Sequence, residues 1–386
     1  MIVYPAEWKA RQEAVFAALA LAGGGGRRLA MIPLSFRDFP QTEARTAEAL
    51  ARAKHQPRNA LAQWFKRQLI RGQYNWSRRY FSAHPDHVAV AWNGLTGSRM
   101  AFLHGAADAG APRLHAELAP FPGRVTLDPA GVNAQNSVPR DPQFFRDWVP
   151  GHPDRGGEGW RAMGADLVAR PSRRGDVGQG GGDIPDTPFL FCPLQVPDDT
   201  QVRLFAGWTG GMNGFLTALA KAANHLPEGW HLRLKEHPSA RQSLRPLIDP
   251  LLISGRVRLD NASDSFAQLA ASRGVVTLNS SMGLQAFFHD KPVVTLGCAF
   301  FALPGLVTAA GDQSSLNQAF TAPQTLGFDP ALRAAFMNWL DQAYYPRFAF
   351  SQGRYPQADL GAFAEKLAQA YAAAAAKPLS PRTALR

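Results

Sequence analysis

Two spacings of apolar residues alternate along this chain. Short β-branched runs of strand length are separated by stretches whose apolar positions recur every three or four residues, and that alternation belongs to parallel sheets covered by helices. The pattern predicts a helix over residues 8–21, a strand over 28–35 (RLAMIPLS) and a helix over 42–54. A further helix over 64–81, a buried strand over 87–92 ending at Asn93-Gly94, and a helix over 100–109 follow. A short strand over 114–117 ends on Glu117, and the strand 125–127 delivers Asp128 into a turn rich in Pro, Gly and Asn.

The second half repeats the rhythm. Strands are expected over 189–191, leading to Gln195, over 230–234, delivering Lys235-Glu236-His237-Pro238, and over 257–259. Between the first two, Gly207–Gly214 precedes a helix over 215–226. The clearest run is 264–301, which reads helix, strand, helix, strand: helix 266–271, strand 274–278, helix 282–288, a turn at Asp290-Lys291-Pro292 and strand 293–296. This βαβ unit requires a parallel sheet. Helices over 330–344 and 358–376 and a frayed tail at 377–386 close the chain.

Length and composition narrow the picture. With 386 residues, 46% hydrophobic and 18% charged, the chain can bury large cores in two domains. Cys192 and Cys298, the two cysteines, both lie in apolar strand contexts and read as core residues of a reducing compartment. No apolar run approaches the roughly 20 residues that span a bilayer. The run 14–22 is too short for that and is poorly flanked for a secretory signal. The expectation is a soluble cytoplasmic protein.

A net charge of +11 favours an anionic partner: nucleic acid, an anionic lipid surface or an anionic substrate. Residues 64–81, WFKRQLIRGQYNWSRRYF, alternate Arg and Lys with aromatics. That mixture suits a helix with its rings in the core, docking on anionic lipid, or single-stranded nucleic acid, in that order. No nucleic-acid-binding motif accompanies it. Residues 151–186 turn into Gly, Arg, Asp and Pro and read as a linker, with Gly178–Gly182 supplying flexibility. Neither GxxxxGK[ST] nor a GxGxxG directly after a strand is present.

Parallel sheets bind ligands beyond the carboxyl ends of their strands. Asn279, Ser280 and Ser281 occupy such a place, where they serve equally as a helix cap. His237 stands at a strand end before a strand-stopping proline. By local chemistry Asp128 is first an Asx-turn residue before Pro129.

Four blocks then carry a resemblance: LDPAGVN at 127–133, FCPLQVPDD at 191–199, KEHP at 235–238 and NSSMGLQAFFHDKPVVTLGCAFF at 279–301. In that order they resemble the capsule polysaccharide biosynthesis family, the KpsS/KpsC type of retaining β-Kdo glycosyltransferase. Residues 1–90 and the last forty carry little of the likeness. Ala119 stands where many members have Gly, and Gln285 where many have Glu.

The resemblance implies an α/β, GT-B-like fold: two Rossmann-type parallel-sheet domains facing a central cleft, with C-terminal helices. Residues 1–185 would form the acceptor-side domain with the catalytic aspartate, 186–345 the CMP-sugar domain, and 346–386 a helix and tail returning to the first. It implies CMP-Kdo as donor and a lipid-linked, phosphatidylglycerol-type acceptor in capsule linker synthesis and export, at the inner leaflet beside other capsule proteins. Asp128 would be the nucleophile, Glu117 the acid/base group and His237 the residue that meets the departing phosphate, as in the similar motif of bacterial sialyltransferases. Gln195, His237, Pro238, Asn279, Ser280 and Ser281 would hold the CMP-sugar. No metal or other cofactor is expected, since D-x-D is absent. Two other readings share the scaffold: a capsule assembly or export factor without turnover, and a transferase for another CMP-activated acidic sugar.

Overall fold

The computed structural model describes residues 1–169, 171–181, 184, 186–351 and 356–376. Gly182, Asp183 and the tail 377–386 lie outside them. Among the described residues no helix is long and apolar enough to cross a membrane. The chain divides into two units, Met1–Ser137 with Ala343–Arg386, and Val138–Gln342.

In the first unit, β1 (Ile2–Pro5), α1 (Ala10–Ala22), β2 (Gly26–Leu29), α2 (Thr42–Ala51), α3 (Ala60–Ala83), β3 (Val88–Trp92), α4 (Gly97–Asp108), β4 (Arg113–Leu118) and β5 (Val125–Asp128) follow in order. The sheet runs β2-β1-β3-β4-β5, parallel except where β5 returns antiparallel to β4. Its central strands are buried on both faces, as Val88–Trp92 shows by having no exposed position.

Strand β1 escapes the sequence pattern because it is four residues long at the amino terminus. The apolar run after Leu29 is not strand. Its Leu34 packs on Gly72 of α3, where an added Cβ would stand 3.1 Å from the leucine side chain, and the Ser35 N–H donates to the Gly72 carbonyl at 3.0 Å.

In the second unit, α5 (Pro142–Trp148), α6 (Pro153–Gly156), β6 (Phe189–Pro193), α7 (Thr200–Phe205), α8 (Met212–Ala223), β7 (His231–Lys235), α9 (Arg245–Leu252), β8 (Val257–Leu259), α10 (Ser265–Ala271), β9 (Gly274–Thr277), α11 (Met282–Gln285), β10 (Val293–Thr295), β11 (Thr308–Ala309), α12 (Gln313–Thr321) and α13 (Pro330–Trp339) surround a sheet of order β11-β10-β9-β6-β7-β8. All its pairings are parallel. After α13 the chain rejoins the first unit through the short pair β12 (Phe348–Ala349) and β13 (Gln357–Ala358) and the helix α14 (Leu360–Ala375), whose Phe363 and Leu367 enter that unit's core.

Three expectations need correction. The break between units falls after Ser137, not at 185, because 138–169 packs within the second unit: Phe145 stacks edge-on against Phe336, and Trp160 is buried against Phe288. The glycine run is not slack at its start. The Gly178 N–H donates to the Asn261 carbonyl, and the Lys235 ammonium donates to the carbonyls of Gly178, Asn261 and Ser263 at 2.7–3.0 Å. Cys192 is buried, but Cys298 is exposed because it lies past the end of β10.

Gly214 in α8 faces the Thr209 carbonyl so closely that a Cβ would lie 2.0 Å from the oxygen. Gly→Ala at an open helix position stabilises by about 1 kcal/mol. Here Gly214→Ala is expected to destabilise instead, by about 1–3 kcal/mol of overpacking, measured by chemical denaturation.

Candidate functional site

The second unit's sheet is doubly wound. From β6 the chain proceeds to β7 and β8 on one side, then crosses to β9, β10 and β11 on the other. The switch point is therefore between β6 and β9, the place where such sheets take ligands. Gln195 follows β6 and Asn279 follows β9 there, and their side chains bond one another: Gln195 Nε2 donates to Asn279 Oδ1 at 2.9 Å. Asn279 Nδ2 also donates to the Gln201 and Phe205 carbonyls at 3.1 and 2.9 Å. Both hydrogens of its amide are thus spent on holding α7 to the sheet end. Asn279 ties β6, α7 and β9 together at this edge.

The next two residues differ from it. The Ser280 N–H donates to Thr277 Oγ1 at 3.1 Å, and its hydroxyl accepts from the Met282 N–H at 3.2 Å. The half-buried Ser281 makes no side-chain cap of α11. Of the three residues expected to hold a phosphate, Ser281 has its hydroxyl uncommitted to the fold.

His237 lies just beyond β7, the strand beside β6. Its Nδ1 accepts from the Ser239 N–H at 3.0 Å, which assigns the proton of the neutral ring to Nε2. The two residues before it are internal. Lys235 grips the carbonyls named above, and burial pulls its pKa down. Glu236 accepts from Arg174 through both oxygens at 3.0 Å, from the Leu244 N–H at 2.5 Å and from Asn261 Nδ2 at 2.8 Å. Burial acts to raise the Glu236 carboxyl, but these donors outweigh it and hold the group below its ordinary value. The Pro238 carbonyl accepts from the Arg173 N–H at 2.8 Å. In this block Lys235, Glu236 and Pro238 fasten the loop that carries His237.

In the first unit the switch point lies between β1 and β3. The residues just past those strands are Glu7 and Asn93, with Glu117 near the end of the adjacent β4. Asn93 is left-handed at φ 60°, and Gly94 at φ 75° leaves no room for a Cβ, which would meet His115 Nδ1 at 2.7 Å. The Asn93 carbonyl accepts from His115 Nδ1 at 2.9 Å. Burial, then the Arg113 charge, push the His115 pKa down to about 4, so the ring is neutral and carries its proton on Nδ1. Asn93 Nδ2 in turn donates to Glu117 Oε2 at 3.2 Å. A buried histidine thus fixes the turn that orients a half-buried carboxylate at the ligand edge.

Glu7 carries no motif in the sequence and was found through the structure. Its side chain is buried, Oε2 accepts from Arg99 at 2.5 Å, and Oε1 has no partner. Burial raises its pKa, and Arg99 offsets part of that. Because β1 itself shows no period in the sequence, no local signal pointed to Glu7.

Asp128 has a different setting. Because β5 runs antiparallel, its last residue pairs with His115 and not with the carboxyl end of β4. The carboxylate is fully buried. Oδ1 accepts from the N–H groups of Ala130 and Gly131 at 2.7 and 3.1 Å, an Asx-turn. Oδ2 accepts from the Ser137 N–H and hydroxyl at 2.8 and 2.7 Å and from the Tyr344 hydroxyl at 2.8 Å. Five donors hold this fully buried carboxylate, the group that the resemblance marks as the nucleophile. Among the described residues no group of three or more His, Cys, Asp or Glu is arranged to hold a metal ion.

Residues 185–346 match the model of the family described as capsule polysaccharide biosynthesis protein. Protein FixF of Sinorhizobium fredii is 29% identical over 313 residues, covering 76% of this chain and 72% of that protein. The capsule polysaccharide export protein KpsS of Escherichia coli is 24% identical over 234 residues, 48% of this chain and 60% of that one. Among solved structures, the β-Kdo 2,7 transferase of Thermosulfurimonas dismutans KpsC superposes with a TM-score of 0.50 at 13% identity, covering 96% of this chain and 98% of that one. At that identity the likeness concerns the fold, a GT-B-like pair of α/β units.

Removing the acceptor from five donors should unfold the first unit. Asp128→Ala is expected to cost about 3 kcal/mol or more in chemical denaturation. A stable but inactive variant would support the nucleophile role. Asp260, bound to Arg233 at 2.5 Å, gives a second check. Burial acts to raise its carboxyl, but Ser263 and Arg233 outweigh it and hold the pKa at about 2. The stabilisation is complete above the unfolded value of 3.8 and is lost as pH falls through about 2. Acid-unfolding curves of Asp260→Asn should lack that component.

Proposed function

For a chain whose residues 185–346 match the capsule polysaccharide biosynthesis family, we propose a retaining glycosyltransferase that moves β-Kdo from CMP-Kdo to a lipid-linked, phosphatidylglycerol-type acceptor in capsule linker synthesis. The observation that carries this reading is the second unit's switch point. Gln195, His237 and Ser280-Ser281 lie at the carboxyl ends of the neighbouring strands β6, β7 and β9. Strand spacing of about 4.8 Å makes such an edge the width of one nucleotide phosphate with its sugar.

In this reading His237 presents Nε2–H to the CMP phosphate as its charge develops, and Ser281 adds a hydroxyl. Retention takes two displacements. A carboxylate oxygen bonds to the anomeric carbon as the bond to the phosphate oxygen breaks. The acceptor oxygen then displaces that carboxylate, and the hydroxyl proton passes to the released phosphate. Glu117 is the carboxylate assigned to this work, because it lies at the ligand edge of its sheet and Asn93 aims it. Asp128 supports it from below by fixing the turn 130–137 and Tyr344. CMP carries one phosphate, so no metal is required to neutralise a diphosphate. The acceptor places the protein at the inner leaflet among other capsule proteins.

The test is transfer from CMP-Kdo to a phosphatidylglycerol-type acceptor by the purified chain. Glu117→Gln is expected to lower the rate at least about 10³-fold while CMP binding, read by calorimetry, is retained. His237→Ala is expected to weaken both. CMP binding by the wild type with no transfer favours an assembly or export factor, and transfer only from another CMP-activated acidic sugar reassigns the donor.

A further inference from the structure

The first half of α3 does what the helix pattern does not predict: it projects. No residue from Ala60 to Leu69 is buried, whereas Ile70 and Gly72–Asn75 are. The helix begins in solvent on a capping residue of its own, with Asn59 Oδ1 accepting from the Ala62 N–H at 2.8 Å. Apolar side chains are nevertheless placed on this exposed part. Leu61, Trp64 and Phe65 are each more than half exposed, and the two rings pack edge to face at 4.9 Å. They form one stripe, since positions 61, 65 and 69 recur every four residues and the next turn reaches Gly72.

At Gly72 the stripe meets the segment after β2, where Leu34 lies against the glycine. Two residues further on, Phe36 is 82% exposed, and Met31 on the other side of Leu34 is 72% exposed. The segment is pinned there by ion pairs of Asp38 with Arg71 and of Glu43 with Arg67. Helix and segment therefore present one continuous apolar strip held in a fixed shape.

Charge identifies what covers it. Residues 31–83 contain ten Arg and Lys against three Asp and Glu, a surplus of seven out of the chain's net +11. From 49 to 85 there is no acidic residue. A protein partner of ordinary composition would not need this surplus, and an apolar strip has no use for water. A surface that is anionic at its rim and apolar just beneath meets both demands, and no described helix is able to cross such a layer.

We propose that the projecting half of α3 and the segment around Phe36 form a docking face for an anionic lipid surface, with the rings entering the headgroup region and Arg58 and Lys66 at its rim. The proposal rests on exposure and charge and is independent of the transferase reading.

The test is co-sedimentation of the full chain with vesicles of phosphatidylcholine alone and of phosphatidylcholine with an equal part of phosphatidylglycerol. Binding is expected with the second kind and not the first, and is lost near 1 M salt, where the Debye length falls to about 3 Å. Arg58→Gln is expected to weaken it about fivefold. The triple variant Phe36→Ser, Trp64→Ser, Phe65→Ser should lose it while keeping the wild-type thermal midpoint, since all three side chains are exposed. No binding to either vesicle, or unchanged binding by the triple variant, overturns the proposal. So does self-association, or binding of a single-stranded RNA oligonucleotide, that the triple variant abolishes in a protein that ignores vesicles.

Discussion

A carboxylate in an apolar interior needs donors around it, and each unit of this protein converges on one such carboxylate. In the first unit the group is Asp128. Its five donors come from the turn after β5, from Ser137 at the end of the amino-terminal segment, and from Tyr344 on the returning chain. Segments more than two hundred residues apart in sequence thereby converge on one side chain. Lys366 of α14, which donates to the Ala343 carbonyl and lies over the Tyr344 ring, adds a nearby cation.

In the second unit the group is Glu236. Arg174, Leu244 and Asn261 meet it from three different loops, and Lys235 gathers three carbonyls beside it. The consequence reaches the chemistry. The half-buried His237 is held in one tautomer, on a loop that the residue before it ties down on either side. Mobility at that position would dissipate the advantage of a preorganised donor.

The same logic separates residues that resemble one another in the sequence. Asp128 and Glu117 are both carboxylates near strand ends. One is delivered by an antiparallel strand, which turns it away from the ligand edge and into a cage of donors. The other lies on a parallel strand whose carboxyl end is the ligand edge, and it accepts from the Asn93 amide and the Leu118 N–H. Likewise Asn279 and Ser281 stand two residues apart, yet one is a tie between β6, α7 and β9 and the other keeps its hydroxyl for use.

Alternating hydrophobic runs by themselves determined the α/β character, most strands of the second unit and the order of the blocks that carry chemistry, because burial on both faces of a parallel sheet leaves a local signature. They missed β1, which is too short to show a period, and misread 30–35, where Leu34 packs on a helix and Met31 faces outward. Only the tertiary structure decided the direction of β5, the division of the chain after Ser137, the carboxylate at Glu7 and the exposure of Trp64. Each of these depends on which distant segment lies alongside, and local spacing cannot encode a neighbour that arrives a hundred residues later.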